Sequence, residues 1–323
     1  MNILIVYYYK HEYPPRAATI DHIYSFRRYA GHRCFYLNLA FRKVPGYLKE
    51  IDFDLVIYHT HFLAARWSRE LFAELCERAR PLKGLGRARV ALPQDEFIHT
   101  DLLCDFIREF GVGLVFSAAF ASEWPKIYAG LDGAGVCFRT VLTGYLDERT
   151  VRRVGRLARR APARDIDVGY RAWHAAPWLG RHGQLKVRVA EELRKAARGR
   201  PLRLDLSTGQ GDTLLGDEWH RFLLRCRYTI GAEGGASVLD RDGSLKRRTE
   251  EYLAEHPQAS FEEVEAACFP GLDGFLNLMA LSPRHLEACA TRTCQVLVEG
   301  RYNGVLEAGR HYIELKKDFG NIA

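Results

Sequence analysis

Residues 281–321 read LSPRHLEACATRTCQVLVEGRYNGVLEAGRHYIELKKDFGN: a short helix, a strand, a glycine turn and another strand. Leu286, Ala290 and Thr293 fall at helical spacing. QVLVEG (295–300) has the mostly apolar run and glycine stop of a strand buried in a parallel sheet. A helix feeding such a strand is one repeat of an open α/β sheet. Ligands of these sheets bind outside the carboxyl ends of the strands. Glu287 sits on the helix, one turn before the strand, where its carboxylate can reach that crevice.

Outward from this stretch the same rhythm covers the chain. In the first half, NILIVYYY (2–9), CFYLNLA (34–40), FDLVIYHTHFL (53–63), RVALPQDEF (89–97), GLVFSAA (113–119) and VCFRTVLT (136–143) read as strands separated by helical stretches. In the second half, DIDVGYRA (165–172), LRLDLS (202–207) and YTIGAE (228–233) alternate with helices, and a polar helical insert spans 243–269. Strand–helix alternation at this spacing predicts α/β architecture with two doubly wound, Rossmann-like domains. The expected boundaries are 1–155 and 165–323, split where the chain turns basic at VRRVGRLARRAPAR (151–164).

The chain has 323 residues, 47% of them hydrophobic, which suits two sizeable cores. No apolar run approaches the length of a membrane span. Tyr7–Arg16 turns polar before a signal core is complete, so a cytoplasmic location is expected. Most of the eight cysteines, which form no CxxC pair, read as core residues of a reduced protein, and no metal site is expected. The net charge of +7 gathers partly in 151–164, where Arg152, Arg156, Arg159 and Arg160 share a helical face. Such runs are usually solvated. The other reading is attraction to an anionic acceptor, a phosphate-linked carrier or the inner face of a membrane. No nucleic-acid-binding signature is present.

EWHRFLLRCRYTIGAEGGASVLDRDG (218–243) carries the most specific signature. Trp219, Phe222, Leu223, Cys226, Arg227, Gly231, Glu233, Gly235, Ala236, Ser237, Val238, Asp240, Asp242 and Gly243 follow W-x-x-FL-x-x-CR, then G-x-E-x-GASV-x-D-x-DG. The match continues through SPR at Ser282 into HYIELKKDF. With LEACATRTCQV around Glu287, it resembles the nucleotide-sugar half of GT-B fold glycosyltransferases of bacterial surface-glycan type, with a group 1-like C-terminal domain.

The resemblance implies a glycosyltransferase that moves a sugar from a nucleotide-diphosphate donor to an acceptor hydroxyl on a glycan, a lipid-linked carrier or a small molecule. It implies no cofactor and no metal. Glu287 would hold the donor ribose. The large retaining families carry a second glutamate eight residues upstream, where this chain has Met279. The turn Glu233, Gly234, Gly235, Ser237 would cradle phosphate or sugar hydroxyls through backbone N–H groups. Its other reading is a tight turn that needs positive φ at Gly234 and Gly235. Arg171 and Lys186, with Arg181 as a third candidate, would neutralise the leaving diphosphate, because breaking the anomeric C–O bond builds negative charge there, and Arg284 of SPR would join the donor site. His59 and His61 match the D-x-V-H-x-H element whose histidine contacts the transferred sugar. Strand alternation puts both on one face, with His61 nearer the end. An inverting enzyme would draw its general base from His11, Glu12, Asp95 or Glu96, of which the adjacent Asp95 and Glu96 would turn at most one inward. A sugar-nucleotide epimerase or hydrolase, or a non-catalytic sugar-nucleotide or glycan-binding module, are the alternatives. LDLSTGQGDTLL (204–215) imitates a methyltransferase loop, but that reading leaves the first half of the chain unexplained.

Overall fold

A computed structural model describes residues 1–10, 17–161 and 163–322. The first half contains β1 (Asn2–Tyr7), α1 (Ala17–Tyr29), β2 (Arg33–Asn38), β3 (Leu55–Tyr58), α2 (Thr60–Leu63), α3 (Arg69–Ala79), β4 (Ala88–Ala91), α4 (Thr100–Glu109), β5 (Leu114–Ser117), α5 (Trp124–Ile127) and β6 (Cys137–Thr140). There follow α6 (Glu148–Ala158), β7 (Ile166–Arg171), α7 (Gly180–Ala196), β8 (Leu204–Ser207), α8 (Asp217–Arg225), β9 (Cys226–Gly231), β10 (Gly234–Ala236), α9 (Ser244–Glu255), α10 (Phe261–Cys268), β11 (Leu278–Ala280), α11 (Pro283–Ala290), β12 (Cys294–Val298) and β13 (Ile313–Leu315).

The protein is α/β and Rossmann-like, with two parallel sheets. One has the order β2-β1-β3-β4-β5-β6. The other runs β13-β12-β9-β7-β8. β10 and β11 form a separate pair. β1 explains itself: every residue from Ile3 to Tyr7 is buried, so a continuous apolar run is required. Ile3, Ile5 and Ile57 pack with Ile23 of α1. In the second sheet Val168, Tyr170, Ile230 and Val298 pack with Leu185 and Val189 of α7. Each sheet reverses its winding between its first and third strands, β1/β3 and β7/β9. That reversal opens a crevice at the carboxyl ends.

The chain divides into two units. One includes Ile20–Val141 and takes back Val238–Leu278; the other includes Leu142–Ser237 and continues from Met279. The division therefore falls ahead of the basic stretch, not within it. Helix α6 stays with the second unit, where Val154 is buried and Arg153 pairs with Asp217 at 2.6 Å. Helices α9 and α10 belong to the first unit although they lie in the second half of the sequence. The cause is local bonding. His99 N donates to Asp240 O at 2.8 Å, Asp240 N donates to Phe97 O at 2.8 Å, and Asn277 N donates to Glu123 at 3.0 Å. Among the described residues, no helix is long and apolar enough to cross a membrane.

Candidate functional site

In the second unit β7 and β9 end together at the winding reversal. β9 runs on into Glu233 and the β10 turn. Gly235 adopts φ 127°, which only glycine tolerates easily, whereas Gly234 has no positive φ in that range. Ser237 N donates to Leu179 O at 2.9 Å, and its Oγ accepts from His182 N at 3.2 Å. Ser237 thereby caps α7, whose own leading residue supplies no side-chain cap. His182 Nε2 lies 3.1 Å from Glu233 O, a donor facing a carbonyl. Burial first, then the nearby Lys186 charge, pulls its pKa down to about 4, so the ring is neutral.

Glu233 is buried, and both carboxylate oxygens are engaged. Oε1 accepts from Tyr302 N at 2.7 Å and Oε2 from Arg301 N at 3.2 Å. Burial raises its pKa and these two N–H bonds oppose the rise. A Cβ at Gly300 would run into this carboxylate, so the glycine that ends β12 makes room for Glu233. Glu233 thus pins the β12 turn, and only its backbone faces the α7 side.

Glu287 lies on α11 and accepts from Trp219 Nε1 at 2.7 Å. The Arg284 guanidinium stands 5.7 Å from the Trp219 ring centre and donates to the Arg171 carbonyl. His285 Nδ1 accepts from Ser282 N at 3.1 Å, which closes the α11 capping box. Burial, followed by the Arg284 charge, draws its pKa down to about 4. Arg171 differs from expectation. Its guanidinium pairs with Asp205 at 2.8 Å, donates to Asp205 O at 3.0 Å and lies over Phe222 at 4.3 Å. Its charge is committed to the neighbouring strand. The Lys186 charge acts on His182 and His285, and the Arg284 charge acts on His285.

In the first unit β3 stops at Tyr58, not at Leu63. His59 caps α2, and its Nδ1 accepts from His61 N at 3.1 Å. A pattern that alternates like a strand is here a cap and a helical turn. The two rings still meet, with centroids 5.4 Å apart, and the His22 ring of α1 lies tilted against His59 at 4.7 Å. Tyr9 meets His61 edge-on at 5.6 Å. Burial lowers the pKa of all three histidines, and His61 falls to about 4. His59 Nε2 and His61 Nδ1 are buried without a hydrogen-bond partner. Neutral imidazoles with an unused nitrogen suit hydroxyl groups. No group of three His, Cys, Asp or Glu side chains among the described residues is set to hold a metal ion.

Of the carboxylate pair after β4, Glu96 is sealed in the interior. Glu96 has no exposure and accepts from Ser117 Oγ at 2.5 Å, Ala118 N at 2.7 Å and the Tyr128 hydroxyl. Burial raises its pKa, and these donors and Arg66 oppose the rise. Asp95, at φ 56°, accepts from Trp67 Nε1 at 3.3 Å. Fully buried Arg66 ties the same loop through the Gln94 and Asp95 carbonyls at 2.5 and 2.6 Å. His11 and Glu12 lie outside the described residues.

Sequence reasoning missed His22, Arg66, His182 and His285. His285 was within reach, since Ser-Pro followed by a polar N3 residue signals a capping box. The others act across sequence distances that no local pattern encodes. No protein-family model matches the chain, and no curated protein matches it.

Proposed function

We propose that the protein is a GT-B glycosyltransferase built from Rossmann-like units. It would move a sugar from a cytoplasmic nucleotide-diphosphate donor to an acceptor hydroxyl in glycan biosynthesis, without a metal ion or cofactor. The observation that carries this reading is the cradle in the second unit. The N-terminus of α7, the Gly235 turn, Ser237, Lys186 and Arg284 gather where the winding reverses. Backbone N–H groups at a helix start and two cations suit a diphosphate. Glu287 would meet the donor ribose by exchanging the Trp219 N–H for a ribose hydroxyl. His61, with His59 behind it, would contact the transferred sugar.

Calorimetric titration with nucleoside diphosphates tests the donor pocket. Glu287→Ala should weaken binding by about 1–3 kcal/mol, the scale of a lost buried hydrogen-bond partner. Trp219→Phe removes the same indole bond but keeps the carboxylate, and should preserve affinity. Unchanged binding in Glu287→Ala would sink the ribose assignment.

A second reading is a non-catalytic nucleotide-sugar-binding module. It is favoured by the engagement of Asp95 and Glu96, which leaves neither as an unencumbered base. Turnover of the donor with and without candidate acceptors separates the readings, because a hydrolase or epimerase needs no acceptor and a binding module turns over nothing.

A further inference from the structure

Residues 148–160 read ERTVRRVGRLARR, six arginines against one glutamate. At 3.6 residues per turn, Arg149, Arg152, Arg153 and Arg156 of α6, with the C-capping Arg159, fall within an arc of about 120°. Arg159 keeps helical backbone angles, and Arg160 follows in the next turn. All six are exposed, while Val154, on the other side of the helix, is its buried residue. Arg152 pairs with Glu148 at 2.7 Å and Arg153 with Asp217 at 2.6 Å. Arg149, Arg156, Arg159 and Arg160 pair with no carboxylate among the described residues. Like charges three and four residues apart repel and weaken a helix. A merely solvated helix gains nothing from such a face.

We propose that α6 docks the second unit onto an anionic phospholipid surface by electrostatic attraction alone. The arginines lie along one side of the helix, so they can approach a plane together. Val154 is turned inward and the exposed Val151 lies outside the arginine arc, so the face turned to the surface carries no apolar residue for insertion, and binding is reversible and salt-sensitive. Residues 148–160 contain no aromatic side chain on which successive bases could stack, which favours a lipid surface over a single-stranded nucleic acid. The proposal stands independently of the glycosyltransferase reading.

Co-sedimentation of the full chain with phospholipid vesicles tests it. Vesicles of phosphatidylcholine with about 30% phosphatidylglycerol should carry the protein down at low salt and release it near about 0.5 M salt, and pure phosphatidylcholine should not bind it. Replacing Arg149, Arg152, Arg156 and Arg159 together by Gln should weaken partitioning about 100-fold or more. The same four positions as Lys should stay within about threefold, because the charge is kept. If the Gln variant fails to fold, the Lys variant and the salt series still decide. Failure of the unaltered protein to bind anionic vesicles would overturn the proposal. So would Gln variants that bind as well as it does, Lys variants that lose binding, or a duplex oligonucleotide that outcompetes the vesicles at equal salt.

Discussion

His61 and Gly300 show how much one residue carries. Under the proposed function, His61→Ala should spare nucleoside diphosphate affinity, because the donor cradle lies wholly in the other unit. Transfer should fall about 100-fold or more, the scale of a positioned catalytic group. Near-normal transfer would return His61 to a packing role and move the search to His11. Gly300→Ala should destabilise the fold by about 1–3 kcal/mol through overpacking against Glu233. Thermal melts of Gly300→Ala, Glu233→Ala and the double variant form a cycle. The double variant should cost less than the sum, since removing the carboxylate relieves the clash. Additive losses would mean that the two groups do not meet. The sequence showed Glu233 as a polar residue at a strand end and suggested a sugar contact. It did not show that the partners of the carboxylate are backbone N–H groups 68 and 69 residues away.

At the level of elements, the D-x-DG pattern is the clearest case of a motif with a structural job. Asp240 accepts from Leu245 N at 3.2 Å and Lys246 N at 2.8 Å, which caps α9. Asp242 accepts from Ser244 N at 3.0 Å, while its carbonyl accepts from Arg69 at 3.1 Å. A Cβ on Gly243, at φ 79°, would overlap His99. Asp240→Ala should therefore cost about 1–2 kcal/mol, the usual range for a lost cap. Hydrogen exchange should accelerate first in α9, and exchange as slow as in the unaltered protein would contradict the assignment. Apolar runs such as those in β1 and β12 were legible because parallel strands are buried on both faces. The end of β3 was not, since HTHF alternates as a strand does, and the cap that ends it depends on a single Nδ1 contact. The place of α9 and α10 was equally hidden. It is set by bonds to Phe97, His99 and Glu123, which share no pattern with the insert.

Across the whole molecule, His22, His59, His61, His182 and His285 all titrate below their ordinary value, with burial as the first cause. In the unfolded chain they titrate near about 6.5. Between about pH 6.5 and 4 the unfolded chain takes up protons that the folded protein refuses, so stability falls as the pH falls. The loss is on the order of 1–3 kcal/mol for a ring such as His182 or His285. Below about 4 their share levels off as these rings protonate in the fold too. The melting temperature should drop by about 5 °C or more between pH 7 and 4.5. A constant value over that range would show that these rings titrate normally. The return of Val238–Leu278 to the first unit bears on how the protein is made. A ribosome delivers β1 to β6 early, yet Arg69, His99 and Glu123 must wait for partners more than a hundred residues downstream. The second unit is itself unfinished until β12 and β13 emerge. Neither unit can be completed before the other is largely synthesised, so the nascent first sheet passes through a long interval with its last segment missing and its surface open to chaperones.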